Sequence, residues 1–212
     1  MSLTMPQPPA AALRAVLGAL DSPNAVRAVR TAGMRRRTGA LTPVHPLPVH
    51  VLDPAAPASK PPAAPLPASV AVGTRGTGGE TLAGARHTGW RFLIRDGEEI
   101  VAAADTRATA AGHAFAHFAE GPYPLATLRA LQQAKQHTGT SPTVYLPRLL
   151  SVPGHYMTAL WLHPVLDRSG SSDLLIPLAP APLGVTAHLP HDADELLSLL
   201  SLGSGQLLTA TH

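Results

Sequence analysis

The sequence predicts an α+β protein in which a mainly antiparallel sheet of about five to six strands carries one or two helices on one face, preceded by a helical hairpin and a proline- and alanine-rich linker. Three observations lead to this fold class. Strand-like runs, helical patterns and short connections follow residue 89. Apolar residues recur at helical spacing near the N-terminal end. Thirteen of the 23 prolines fall before residue 69, in the shorter part of the chain.

Residues 1–37 are predicted to form a basic helical arm. Apolar side chains recur at helical spacing over residues 10–20, at Leu13, Val16, Leu17 and Leu20. Ser22 can cap a second helix over residues 23–32, and Pro23 fits its first turn because no amide hydrogen is needed there. Two such short helices are marginal in water by themselves, so we expect them to pack on the domain or on a partner.

Residues 38–85 are predicted to be a largely disordered linker, rich in proline, alanine and glycine. The linker contains PVHPLPVH at 43–50, DPAAPASKPPAAPLP at 53–67 and GTRGTGGE at 73–80. Its glycine-rich end does not match a phosphate-binding loop, because Gly79 stands where that loop requires lysine. The predicted domains are therefore the arm at 1–37, the linker at 38–85 and the α+β domain at 86–212.

A β-hairpin is predicted within WRFLIRDGEEIVAAAD, residues 90–105. Alternation places three apolar side chains on one face, at Trp90, Phe92 and Ile94. Asp96 and Gly97 supply the turn, because glycine can adopt the positive φ that a tight hairpin requires. A three-residue loop would set Phe92 opposite Ile100.

Six further elements are predicted after the hairpin. They are strands at GHAFAHFA (112–119), TVYLPRLLSV (143–152), HYMTALWLH (155–163) and DLLIPLAP (173–180), and helices at YPLATLRALQQAKQH (123–137) and DADELLSLLS (192–201). Pro147 and Pro153 place the strand at 143–152 at an edge or end of the sheet, since proline cannot donate to a ladder. If the outer face of the sheet is uncovered, Leu160 and Leu162 form an apolar patch suited to a partner.

The segment GHAFAHFAEG (112–121) holds the clearest candidate for a metal site. On a helix, His113, His117 and Glu120 would stack on one face and could bind a zinc-type ion. Glycine bounds a short run of alternating small and aromatic residues, however, and this favours a strand. Residues four apart on a strand share a face but lie roughly 13 Å apart, too far for one ion. We therefore predict a strand with two separate histidines and no metal site.

Residues 89–190 resemble uncharacterised proteins of high-GC, actinobacteria-like bacteria. The segments that carry the resemblance are GWRFLIRDG, HFAEGPY, PRLLSVP and DLLIPLAPAP. The resemblance implies no known activity and assigns no catalytic residue.

Charge is distributed unevenly along the chain. Residues 1–80 carry eight Arg or Lys and three Asp or Glu, whereas residues 81–212 carry eight and ten. Five arginines within eleven residues are the predicted partner-binding set: Arg27, Arg30, Arg35, Arg36 and Arg37. They could meet an acidic protein or phosphates. Residues 1–80 contain no aromatic side chain on which a base could stack, so contact with nucleic acid would be non-specific.

The sequence predicts a non-enzymatic interaction or regulatory module, in which the basic arm is tethered to a small binding domain and another protein is the partner. No nucleophile-elbow motif and no complete cofactor motif occur, so we expect no cofactor. Two alternatives stay open. One is an enzyme, such as a metal-dependent hydrolase, with a histidine-based site that His155 and His163 complement. The other is a nucleic-acid-associated accessory protein that binds through the arginine-rich arm.

Composition also indicates the cellular location that we expect for the protein. The chain has no cysteine, which excludes disulfides and thiolate metal sites and suits a reducing cytoplasm. No run of residues approaches the roughly 18 apolar residues that a membrane helix needs. We therefore expect a cytoplasmic protein that has no membrane partner.

Overall fold

The computed structural model describes residues 3–22, 39–53, 81–166 and 171–208, with the backbone alone for Leu166 and residues 203–208. In chain order its elements are α1 (Ala10–Asp21), β1 (Thr42–Val51), β2 (Arg86–Asp96), β3 (Glu99–Thr109), β4 (Gly112–Ala119), α2 (Tyr123–Thr138), β5 (Val144–Val152), β6 (Met157–Leu166), β7 (Leu174–Pro177), β8 (His191–Asp192) and α3 (Ala193–Leu208). The 3-10 turn Pro153–His155 joins β5 to β6. The predicted α+β class is confirmed.

The eight strands form one mixed sheet in the order β4-β3-β2-β1-β5-β6-β7-β8. Neighbouring strands are antiparallel except for β1 and β5, which are parallel. The sheet thus consists of two four-stranded meanders that meet at β1 and β5. Helix α2 carries the chain from the end of the first meander to the start of the second. We predicted five to six strands; the two that were missed are β1 and the short β8.

The helices cover both faces of the sheet, not one face as we predicted. Helix α2 packs against Leu160 and Leu162 of β6. Helix α3 packs against Met157 and Trp161, which alternate with those leucines and therefore lie on the other face. Helix α1 covers the β2 end of the same face as α3, over Phe92. The condition for an apolar patch at Leu160 and Leu162, an uncovered outer face, is not met, because α2 buries both side chains.

Strand β1 lies at the centre of the sheet, although we predicted its residues to be linker. The strand was missed because it contains Pro43, Pro46 and Pro48, and proline is rare in central strands. Proline is tolerated here because β1 leaves its β5-facing side unpaired until Val49. An irregularity in the pairing with β2, where His45 has a φ of 49°, further interrupts the alternating pattern. The prolines therefore concealed a strand that two neighbours hold in place.

The hairpin of β2 and β3 is present, but its register differs from the predicted one. Asp96 pairs with Glu99, so the loop has two residues, and Gly97 supplies the positive φ of 57°. A register shift follows Ile94, with the result that Phe92 pairs with Ala104. The local pattern identified the hairpin but placed its loop too early, which accounts for three of the four residues by which the register differs; the irregularity after Ile94 adds the fourth.

The remaining predicted elements are found with small changes. Strands β4, β5, β6 and β7 and helices α2 and α3 lie at the predicted places, although α3 extends to Leu208. Strand β5 is interior, not an edge strand, because β1 pairs with its second half. Helix α1 corresponds to the first helix of the predicted hairpin. The second, at residues 23–32, lies outside the described residues, as does most of the linker.

Gly89 in β2 offers a sharp test of the β2–β3 pairing. A Cβ atom at this position would overlap the backbone carbonyl of Thr106 on β3. We expect Gly89→Ala to lower the free energy of unfolding by about 1–3 kcal/mol, because the backbone of one strand must move. Chemical denaturation followed by circular dichroism measures this. The control is Gly18→Ala in α1, where no atom lies within 4 Å of the added methyl group; a loss as large as at Gly89 would contradict the pairing.

Within the described part of the chain, none of the helices combines the length and the apolar content that crossing a membrane requires.

Candidate functional site

A cleft opens at the centre of the sheet, where β1 and β5 separate. The two strands pair only from Val49 to Val51 of β1. Before that point prolines on both strands remove backbone donors. The N-terminal segment runs alongside the start of β5, where the Thr4 amide donates to the Tyr145 carbonyl at 2.9 Å. The gap left between the strands is a cavity of about 280 Å³.

Eight residues line this cavity, which we call the central cleft: Pro6, Pro48, His50, His87, Trp90, Leu146, Pro147 and Arg148. They come from the N-terminal segment and from three adjacent strands, β1, β2 and β5. The lining is mostly apolar, and its polar side chains are two imidazoles and one guanidinium. The cleft opens on the face of the sheet on which α1 and α3 pack, and the two helices lie on either side of it. Trp90 packs under α1, and Pro48, the residue of β1 that pairs with Trp90, lies on the same face.

A row of aromatic rings crosses this face from β4 to β6. His50 and His87 are paired residues of β1 and β2, and their ring centroids lie 5.3 Å apart. His113 of β4 extends the row on one side, 6.4 Å from His87. Trp161 of β6 extends it on the other side, 5.3 Å from His50. Residues from four strands thus meet in one continuous ring surface.

Arg148 places a guanidinium at the cleft without a carboxylate partner. Its Cζ atom lies 4.7 Å from the centre of the Trp161 ring, in a cation–π stack. Among the described residues, no ion pair or side-chain hydrogen bond joins Arg148 to another group. Burial lowers the pKa of Arg148, while nearby Asp173 acts in the opposite direction. The guanidinium nevertheless stays charged at neutral pH, because arginine does not lose its proton in proteins.

Asp173 holds the Trp161 ring on which Arg148 stacks. The Trp161 Nε1–H donates to Asp173 Oδ1 at 2.6 Å, and His163 Nδ1 lies 2.8 Å from the same oxygen. The Asp173 side chain is only 8% exposed. Two partners on one buried carboxylate fix both rings, so the position of the Arg148 platform depends on Asp173.

Burial keeps the histidines of the cleft neutral. Burial is the largest cause that lowers the pKa of His50, from 6.5 to about 4, and the positive charge of Arg148 lowers it further. Burial also lowers the pKa of His87. At neutral pH each imidazole therefore carries one donor and one acceptor, with a backbone group of Pro48 close to His50 and one of Gly89 close to His87, and Arg148 supplies the positive charge of the lining. The indole Nε1 of Trp90 is buried and finds no acceptor among the described residues.

The lowered pKa of His50 predicts a pH-dependent stability. Between pH 6.5 and pH 4 the unfolded chain binds a proton at His50 that the folded protein does not bind, so the free energy of unfolding falls as the pH falls. The side chain is partly exposed, and we expect a loss of roughly 1–2 kcal/mol from this residue. His50→Gln should flatten the profile, measured by urea denaturation at several pH values. Gln136→Ala, on the exposed side of α2, is the control and should leave the profile unchanged.

The strand predicted at GHAFAHFA is confirmed as β4. Its two histidines, His113 and His117, do not lie close together. An extra residue, Ala116, bulges from β4 opposite Asp105 and Thr106 of β3. The bulge turns His113 and His117 to opposite faces, whereas we predicted a shared face. His113 joins the ring row of the cleft, and His117 Nε2 lies 3.4 Å from Asp105 Oδ2.

Glu120 follows β4 and does not join either histidine in a metal site. In residues 3–22, 39–53, 81–166 and 171–208, no three His, Asp or Glu side chains are placed to hold one metal ion.

The other residues singled out from the sequence lie in three places. His163 pairs with Asp173, beside Trp161. His155 lines a second cavity, of about 200 Å³, together with Leu197 of α3. The predicted partner-binding arginines lie outside the described residues: Arg27, Arg30, Arg35, Arg36 and Arg37.

Sequence reasoning missed the residues that form the central cleft. Arg148 is the one charged residue in the apolar strand VYLPRLLSV, and a lone charge in such a strand is a usable signal. The sequence around His50 gave no such signal, because prolines made its strand resemble a linker. Asp173 and Trp161 stand twelve residues apart, and only the pairing of β6 with β7 joins them.

The central cleft thus combines a stacked cation with free donors, two neutral imidazoles and an apolar lining. This combination suits a ligand that brings hydrogen-bond acceptors to Arg148. Comparison of the chain with protein-family models, curated proteins and solved structures finds no match.

Proposed function

We propose that the chain is a non-enzymatic binding and regulatory protein whose ligand site is the central cleft. One observation supports this role: the Arg148 guanidinium is stacked on Trp161 beside an apolar cavity, and no described side chain accepts its hydrogen bonds. A charge with a purely structural role is normally paired when it is partly buried, because an unpaired one costs free energy. A ligand that accepts these hydrogen bonds removes that cost.

The regulated partner in this proposal is another protein in the cytoplasm, contacted through the basic arm. The N-terminal segment lines the cleft at Pro6 and leads directly into α1. The arginines from Arg27 to Arg37 follow α1 in the chain, and residues 1–80 carry a net charge of +5. Occupation of the cleft therefore acts on the segment that leads to the arm, and an acidic surface is the complementary partner.

Tryptophan fluorescence tests the binding role. The chain has two tryptophans, and both lie at this site: Trp90 lines the cleft and Trp161 supports Arg148. We expect a saturable change in fluorescence when small molecules are titrated into the full chain. Proton NMR of the same samples should recover the bound compound unchanged after prolonged incubation. Conversion of the compound at a rate proportional to protein would contradict a non-enzymatic role.

A second candidate function is an enzyme that uses His163 as general base. The observation in its favour is the contact between His163 Nδ1 and the buried carboxylate of Asp173. A buried aspartate that accepts from Nδ1 sets the tautomer and leaves Nε2 as a proton acceptor. His163 is about one-third exposed, at 35% of its side chain, so a substrate in solution can reach it.

A panel of chromogenic esters and phosphate esters tests this second candidate. If the chain is such an enzyme, we expect the full chain to turn over one of these esters. His163→Gln should abolish this turnover, and His137→Gln should leave it intact. Turnover that survives in His163→Gln would remove His163 from any catalytic role, and no turnover by the unaltered chain would leave His163 with a structural one.

A further inference from the structure

We infer that the ligand of the central cleft is a small organic acid, with its carboxylate bound to Arg148 and its apolar body held between Trp90 and the prolines of the cleft. This inference rests on the proposed function and names the chemical class of the ligand. It depends on the donor geometry, on the amount of charge and on the size and lining of the cavity.

The donor geometry of Arg148 matches a carboxylate. A guanidinium that stacks on an aromatic ring keeps its N–H groups in its own plane, where they point sideways from the stack. Two parallel N–H groups can donate to the two oxygens of one carboxylate. Asp173 is close enough to affect the pKa of Arg148, but its Oδ1 atom is engaged by Trp161 and His163. The ligand therefore supplies the carboxylate that the described residues do not.

The amount of charge favours a single negative charge on the ligand. Arg148 is the one cation among the eight lining residues. His50 and His87 are neutral at neutral pH, so they contribute hydrogen bonds and no charge. A phosphate monoester carries a charge of about −1.5 to −2 at neutral pH, and the excess would stay uncompensated here. The carboxylate of Asp173 close to Arg148 disfavours the extra charge further.

The cavity limits the body of the ligand to a small apolar group. Five of the lining residues present hydrocarbon or aromatic surface: Pro6, Pro48, Trp90, Leu146 and Pro147. The volume of about 280 Å³ equals that of about nine water molecules in the liquid. An aromatic or branched aliphatic acid is small enough to fit this space.

Titration of the full chain with benzoate, isovalerate and acetate at pH 7 tests the inference, by calorimetry and by tryptophan fluorescence. We expect benzoate and isovalerate to bind with Kd at or below about 1 mM, and acetate more weakly because it lacks the apolar body. Arg148→Gln should weaken benzoate binding at least tenfold, since a charged hydrogen-bonded pair is lost. Arg148→Lys should bind benzoate more weakly than the unaltered chain and more tightly than Arg148→Gln, because lysine keeps the charge and loses the paired donors.

Matched controls separate binding from folding. Arg107→Gln removes an exposed arginine of β3 that does not line the cleft, and benzoate affinity should not change. Benzamide has the shape of benzoate without its charge, and it is compared on the unaltered chain, so this arm does not depend on any variant folding. Benzamide binding as tight as benzoate, or tighter binding of phenyl phosphate than of benzoate, would overturn the carboxylate assignment.

Failure of the ligand class and failure of the proposed function give different results. If none of the three acids binds but another compound changes the tryptophan fluorescence, and Arg148→Gln abolishes that change, the organic-acid assignment is wrong and the binding role stands. If no compound in a broad panel changes the fluorescence, both are wrong.

Discussion

Truncation of Leu160 to alanine is expected to lower the free energy of unfolding by about 2–5 kcal/mol, the usual range for a buried leucine that leaves a cavity. Leu160 is fully buried. It pairs with Leu149 on β5 and Ile176 on β7, and it packs in the core under α2. With strands on two sides and a helix above, the site has little freedom to collapse around the missing atoms.

Urea denaturation followed by circular dichroism measures this loss. The matched control is Leu199→Ala on α3, where the side chain is 53% exposed and the expected loss is within about 0.5 kcal/mol. The comparison also distinguishes two views of β6. If α2 did not cover this face, Leu160 would lie on an exposed surface and its truncation would cost no more than that of Leu199.

Replacement of Asp105 by alanine is expected to cost about 3–5 kcal/mol of stability, because it leaves a buried guanidinium without its partner. Arg91 Nε donates to Asp105 Oδ1 and Arg91 Nη2 donates to Oδ2, both at 2.7 Å. The two side chains are only 16% and 13% exposed. Arg91 and Asp105 are also paired residues of β2 and β3, so the bond holds the register of the hairpin.

A double-mutant cycle isolates this pair from the surrounding structure. The cycle consists of Arg91→Leu, Asp105→Leu and the double variant, and the double variant should be more stable than either single variant, since an apolar pair can replace a buried ion pair at little cost. The effect of Asp105→Ala should change little between low and high salt, because buried pairs are weakly screened. A strong salt dependence, or a cost below about 1 kcal/mol, would mean that the pair is exposed to solvent.

Local patterns in the sequence were reliable where one segment decides its own structure. The alternation of apolar and polar residues predicted the β2–β3 hairpin and the strand nature of GHAFAHFA. The spacing of Leu125, Leu128 and Leu131 predicted α2, although the buried face is shifted, since Leu125 is exposed and Ala126 and Ala130 are buried. Each of these depends on contacts between residues close in the chain, which a period of two or of about 3.6 reveals.

The predictions that were wrong depended on neighbours far away in the chain. Strand β1 resembled a linker because it is rich in proline, which is rare in central strands. Its prolines are tolerated because β1 is unpaired on its β5-facing side there, and the sequence of β1 alone does not show this. The helices were predicted on one face of the sheet, but α2 returns across the other face and covers Leu160 and Leu162. The bulge at Ala116, which separates His113 from His117, is set by the pairing with β3. No period within a single segment carries this information.

The sequence by itself determined most of the helices and strands after residue 86, all except the short β8, and that the chain cannot use cysteine chemistry. Tertiary structure alone decided the central cleft. His50, His87, Arg148 and Trp161 come from four strands and span more than half of the chain. They meet because β1 is the strand at which the two meanders join. The physical reason is that alternation tells which face of a strand a side chain occupies, whereas the hydrogen-bond ladder decides which strands are neighbours.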